Sequence, residues 1–138
     1  VSYTIRAIDA DEDLDMLRDL HVQTGLTFPS WGIVQDWWFA FFEGHPVAYV
    51  GLTPSWYNKQ AAYLARVGVL KAHRGNALQL RLMQTAIKAA RKQGFLQVVS
   101  DTEANPPSTN NFIRAKWHTF IPVIPWAKAG SIYWRKLT

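Results

Sequence analysis

Hydrophobic and polar positions along this chain switch between a period of two and a period near 3.6, and the switches mark its elements. Tyr3 to Ile8 alternates polar with apolar residues and predicts a strand. Asp9 or Asp11 can cap a helix that starts near Glu12, with Leu14, Leu17, Leu20 and Val22 as its apolar stripe and Gly25 as its stop. Residues 27–35 carry Pro29, Ser30 and Gly32 and read as a loop or short irregular helix. Asp36 to Glu43 is almost wholly aromatic and predicts a buried strand. A turn at Glu43-Gly44-His45-Pro46 returns the chain into a second strand, Val47 to Leu52. Ala62 to Leu70 follows as a third, after a polar connection through residues 53–60.

The most informative stretch comes next. Lys71-Ala72-His73-Arg74-Gly75-Asn76 is a short basic turn. The helix after it places Leu78, Leu82, Met83, Ala86, Ile87 and Ala90 on one face and stops at Gly94. Leu96 to Ser100 is a short strand, so strand–helix–strand here predicts a right-handed crossover between parallel strands. Asp101 to Pro107 reads as a loop. Ser108 or Thr109 can cap a helix from Asn110 to about Trp117, and His118 falls with that late helix. Ser131 to Leu137 is a last strand, with an extra one expected near Val123. The order β, α, β, β, β, α, β, α, β is an α+β fold: one mixed, mostly antiparallel sheet flanked by helices. At 138 residues, with no repeat or linker, a single domain over residues 1–138 is expected.

Composition narrows the function classes. A hydrophobic content of 49% supports a real core. There are no cysteines, which excludes thiol nucleophiles, disulfide frameworks and structural zinc fingers and fits a reducing cytoplasm. No His/Asp/Glu spacing suggests a metal site. No apolar run reaches membrane-spanning length, and the first residues lack the plan of a signal peptide. The net charge of +5 favours anionic partners. The basic residues are spread rather than clustered, which sets aside nucleic acid as the main partner. The seven Trp fill a core or line a cleft.

A strand that runs through a Gly-containing basic turn into a helix N-terminus is a ready anion site, because the first helical turn has unpaired N–H groups and a positive dipole end. Residues 74–79 therefore either hold a phosphate or pyrophosphate or form an ordinary solvated basic loop, and the pattern alone leaves both open.

The order of elements and the run Val69-Leu70-Lys71-Ala72-His73-Arg74-Gly75-Asn76-Ala77-Leu78-Gln79 resemble the GNAT superfamily of N-acetyltransferases. That family's pattern is a strand-ending Val, a short loop, then Gln/Arg-x-x-Gly-x-Gly/Ala opening a helix. Arg74 takes its first position, Ala77 its second, and Gln79 stands where Gly or Ala is usual. The resemblance implies that backbone amides of Arg74, Gly75, Asn76, Ala77, Leu78 and Gln79 hold the pyrophosphate of acetyl-CoA. It implies that main-chain groups of Val67 and Val69 pair with the pantetheine arm, with Gly68 between them permitting close approach. Asn110-Asn111-Phe112 resembles the family's late Asn motif, so Asn110 and Asn111, with Asn105, are candidate cofactor contacts.

The implied reaction is transfer of an acetyl group from acetyl-CoA to a primary amine, of a small molecule or a protein, by direct attack in a ternary complex. Such transfer needs a base for the amine, a donor for the carbonyl oxygen such as the Val69 N–H, and an acid for the leaving thiol. Many relatives carry a Glu on the third long strand of the meander; Tyr63-Leu64-Ala65-Arg66-Val67 has none. Glu103 is then the first candidate base, ahead of Asp101, His73 and His118, and Tyr133 the acid, beside Tyr57 and Tyr63. Trp31, Trp37 and Trp56 are candidates for an acceptor wall. A catalytically degenerate CoA-binding or regulatory module is the alternative, favoured by Gln79 and by the missing carboxylate. A homodimer is compatible with either.

Overall fold

The computed structural model describes residues 2–9, 11–24, 34–103 and 106–138, with the backbone alone at 106–107. The elements are β1 (Thr4–Ile8), α1 (Leu14–Thr24), β2 (Asp36–Phe42), β3 (His45–Pro54), β4 (Ala61–Val69), α2 (Leu78–Lys92), β5 (Gln97–Thr102), α3 (Pro106–Arg114), β6 (His118–Thr119) and β7 (Ile132–Leu137). Among the described residues the strands form one mixed sheet in the order β1-β2-β3-β4-β5-β7-β6. Only β4 and β5 are parallel, as the crossover through α2 requires. No described helix is long and apolar enough to cross a membrane.

The sheet buries a cluster on each face. One gathers Leu78, Leu82, Met83, Ala86, Ile87 and Ala90 of α2 with Phe112, Trp117 and Trp134 over Ala62, Leu64 and Val98. The other packs Leu17 and Leu20 of α1 on Trp37, Phe39 and Tyr49. Two strand glycines make this second face possible. Tyr49 lies opposite Gly68 across β3 and β4, and a Cβ at Gly68 would stand 2.3 Å from the Tyr49 ring. Trp37 lies opposite Gly51, where a Cβ would meet its ring at 2.8 Å. Each glycine is the slot for a cross-strand aromatic ring. The small size of Gly68 is therefore already used by Tyr49, not held open for a second backbone.

Several elements differ from their expected form. The turn that leads into α1 is braced reciprocally: the N–H groups of Asp11 and Glu12 bond Asp9 Oδ1, and the Asp9 N–H bonds Asp13 Oδ2. Its buried face is Leu17, Leu20 and His21, while Val22 is 69% exposed. From Leu17 the helical repeat reaches residue 21 rather than 22, so a histidine is buried there, paired through Nδ1 with the Tyr49 hydroxyl at 2.5 Å. Helix α3 begins at Pro106, ahead of Ser108 and Thr109; proline suits a first turn, where an N–H would have no partner. The chain then turns at Lys116, with φ of 63°, and pairs His118 and Thr119 with Arg135 and Trp134 of β7. The extra strand is thus β6. Val123 is fully exposed, and His118 lies exposed on an edge strand instead of in the late helix.

Candidate functional site

The parallel strands stay together only briefly. Ala61 to Tyr63 pairs with Gln97 to Val99, and the last tie is the buried Ser100 hydroxyl, which donates to the Leu64 carbonyl at 2.8 Å. Beyond it the strands part. The cause is visible in β4: the register with β3 jumps from Gly51–Arg66 to Leu52–Leu64, so Ala65 is an extra residue, a β-bulge. The bulge also changes which groups face the opening. The Leu70 N–H bonds the Val47 carbonyl, so alternation turns the main-chain groups of Gly68 and Arg66 toward β3 and those of Val67 and Val69 toward the cleft. Arg74 Nε, at 3.3 Å, donates to the Val69 carbonyl on that open edge.

At one end of the cleft lies a cavity of about 530 Å³ lined by Val67, Val69, Arg74, Gly75, Ala77 and Gln79, among others. Lys71–His73 forms one 3₁₀ turn. Gly75, at φ 83°, and Ala77, at φ 58°, then adopt left-handed conformations. Ala77 is the N-cap of α2 and offers no side-chain cap, so the first N–H groups of that helix stay open to the cavity. Arg74, His73 and Arg114 line the same space. A backbone concavity flanked by the cations of Arg74 and Arg114, at the positive end of a helix of 15 residues, suits a polyanion.

The other end is a cavity of about 580 Å³ that shares Val67, Gln79 and Ser108 with the first and adds Arg66, Asp101, Glu103 and Lys128. Asp101 Oδ2 accepts from the Tyr63 hydroxyl at 2.6 Å and from Trp126 Nε1 at 2.8 Å. Burial first, and then the Asp101 charge, push the Tyr63 phenol far above its ordinary range. Glu103 pairs with Lys128 at 2.6 Å, both side chains well exposed. The hydrogen bond and the charge of Lys128 hold the Glu103 carboxyl below its ordinary value. Between the cavities the Asn111 amide donates to Gln79 Oε1 at 2.8 Å, a bridge from α3 to α2.

The sequence profile of the acetyltransferase (GNAT) family matches residues 8–115. The chain belongs to that family. Solved structures of GNAT proteins share the fold at low identity. One from Desulfovibrio desulfuricans superposes with a TM-score of 0.83 at 15% identity, covering 99% of each chain. The ribosomal-protein-S18-alanine N-acetyltransferase of Escherichia coli gives 0.77 at 13%, covering 99% of this chain and 94% of that one. A diaminobutyrate acetyltransferase from Paenibacillus lautus, solved with L-2,4-diaminobutyric acid and coenzyme A, gives 0.77 at 17%, covering 97% and 93%. No curated protein sequence matches.

Within this GNAT fold the expected cofactor residues fall into two groups. Val67, Gly68, Val69, Arg74, Gly75, Ala77, Leu78, Gln79 and Asn111 all line the anion-side cavity. Asn76 does not: its amide folds back onto the His73 carbonyl at 3.0 Å and braces the turn. Asn110 is exposed and lines neither cavity. Glu103 lines the second cavity. Tyr133 does not, because its hydroxyl accepts from the Ala127 N–H at 3.0 Å and turns toward the Ala127 carbonyl. Trp37 is 1% exposed and belongs to the α1 core, so its size serves packing and it is no acceptor wall. Trp56 is 65% exposed and lines a small separate pocket. Trp31 and Asn105 lie outside the described residues. The pairing of Asp101 with Tyr63 and Trp126 escaped the sequence reading. Trp126 stands in a Pro-punctuated tail with no periodicity to mark it.

Proposed function

We propose that this chain is an acetyl-CoA-dependent N-acetyltransferase that delivers an acetyl group to a primary amine within a ternary complex. The observation that carries the reading is the cleft between β4 and β5, whose two cavities adjoin at Val67, Gln79 and Ser108 and are crossed by the Gln79–Asn111 bridge. It runs from the uncapped N-terminus of α2, past the open main-chain edge of Val67 and Val69, to the carboxylates Asp101 and Glu103.

Acetyl-CoA supplies an activated thioester. The chain's residues would do the rest. The N–H groups opening α2, with Arg74 and Arg114, hold the pyrophosphate. The outward groups of Val67 and Val69 bind the pantetheine arm as a neighbouring strand would. Val67 lines both cavities whereas Val69 lines only one, so the Val67 N–H is better placed than that of Val69 to stabilise charge on the carbonyl oxygen. Glu103, kept ionised by Lys128, attracts the ammonium form of the acceptor and passes its proton to solvent. Tyr63 stays protonated and gives its one hydrogen to Asp101, so it holds that carboxylate in place at the acceptor end, and the departing CoA thiolate takes its proton from solvent. A cytoplasmic location belongs to the same reading.

Calorimetry with CoA tests it: saturable binding in the micromolar range is expected, with thiol release from acetyl-CoA when an acceptor amine is present. No heat of CoA binding would sink the proposal. The Gln79–Asn111 bridge across the cleft favours a second reading, a CoA-binding module without turnover. Acetylation of any amine in a panel of small amines and peptides would remove that alternative.

A further inference from the structure

Beside the acceptor cavity, the β3–β4 connection meets the segment before β7 at a pocket of about 160 Å³ lined by Ser55, Trp56, Tyr57, Tyr63 and Trp126. Four of those five residues are aromatic. Tyr57 and Trp126 are stacked, with centroids 5.8 Å apart and 15° between planes. Tyr63 stands edge-on to Trp126 at 6.3 Å and 89°. Trp56 and Tyr57 are 65% and 52% exposed, so the pocket opens to solvent through large rings that the fold itself leaves uncovered.

The charge behind the rings distinguishes this pocket from an ordinary apolar dent. Tyr63 and Trp126 both give their polar hydrogen to the same oxygen of Asp101. The carboxylate therefore adds its field to the negative faces of the two rings. Among the described residues no cationic side chain lines the pocket. Arg66, whose charge reaches Tyr63, lines the acceptor cavity instead. An occupant of this pocket would meet aromatic rings and a nearby negative charge, with no cation among the described lining residues to oppose it.

We propose that the pocket binds an alkylammonium group and that the group belongs to the acceptor, at the end remote from its reacting amine. Asp101 is the shared wall: it lines the acceptor cavity and is bonded to two rings of the pocket. An acceptor with an amine at one end and an ammonium head at the other would straddle that side chain. The pocket's selectivity for ammonium stands on its own geometry. Its assignment to the acceptor rests on the acetyl-transfer reading.

The test uses the whole chain and two probes of one shape, choline and its uncharged isostere 3,3-dimethylbutan-1-ol. Choline is expected to shift the indole N–H resonances of Trp56 and Trp126 saturably, and the isostere to need at least about fivefold more, as loss of a cation–π contact implies. Trp56→Ala, which removes an exposed ring, should weaken choline by a similar factor while leaving the Trp37 indole resonance of the core unmoved. Equal binding of both probes, or no shift with choline, overturns the pocket's selectivity. These readouts need no CoA, so they are independent of whether acetyl transfer occurs. In the transfer assay, (2-aminoethyl)trimethylammonium should exceed 3,3-dimethylbutylamine in kcat/KM by about tenfold. Equal rates would overturn the assignment to the acceptor.

Discussion

Ala77 shows how a single position in this chain accepts a cost for the site. Its φ of 58° is one that glycine adopts freely and that an L side chain resists. A left-handed alanine costs about 1 kcal/mol. The conformation is kept because it turns the chain sharply enough to leave the first N–H groups of α2 open to the cavity. Ala77→Gly should therefore stabilise the fold by up to about 0.5 kcal/mol, the rest of the relief being offset by the freer unfolded chain. A urea melt measures this directly, and an unchanged or lower midpoint would contradict it. Tyr63 gives a second prediction. Its phenol is neutral in the fold, by burial and by Asp101, well beyond the pH at which a free tyrosine ionises. The unfolded chain binds fewer protons than the native one above about pH 10, so stability falls as pH rises there. Below that value the contribution is fully present and constant. Tyr63→Phe should flatten the alkaline limb of a stability–pH curve, at the expense of lower stability near neutrality from the lost Asp101 bond.

Among the elements, the junction of α2 with α3 is the decisive one. Gln79 carries a long side chain where the family favours a small one, and the amide reaches Asn111 instead of clearing the path. A ligand running along β4 from one cavity to the other must part that bridge. Gln79→Ala keeps the backbone N–H of the helix and removes the bridge. It should tighten CoA by about fivefold, the equivalent of one ordinary hydrogen bond of ~1 kcal/mol. Calorimetry decides, and weaker binding would show that the side chain contacts the ligand. The same junction shows what a sequence can disclose. The buried face of α2 is legible because a 3.6-residue period is local and six apolar residues obey it. The anion end is legible for the same reason, being one continuous run of chain. The Asn111–Gln79 bridge joins residues 32 apart, and the Tyr63–Asp101 bond residues 38 apart. No local pattern marks such pairs, because the sheet order creates them. Gly68 is an intermediate case: its smallness is plain in the sequence, but the Tyr49 ring that demands it lies across the strand.

At the scale of the whole molecule, the sheet is nearly two sheets. Strands β1 to β4 form one antiparallel half and β5, β7 and β6 the other. They meet through the short parallel pairing of Ala61–Tyr63 with Gln97–Val99, closed by the Ser100–Leu64 bond. The proposed cofactor would sit in the splay and bridge the halves through the free edge of β4. Ligand binding and sheet cohesion should then be coupled through Ser100, which is 4% exposed. Ser100→Ala leaves a buried carbonyl without its donor and should cost about 1–2 kcal/mol. For a chain of this size that lowers Tm by about 3–7 °C. In the unaltered chain, CoA at 100 times its Kd adds about 2.7 kcal/mol. The variant should bind CoA more weakly, because the angle at which β5 leaves β4 is no longer fixed. At one CoA concentration its rise in Tm should therefore be smaller than that of the parent chain. Equal rises would mean that the splay is set by the Ala65 bulge alone. A larger rise would mean that the bond holds the cleft narrower than the ligand requires.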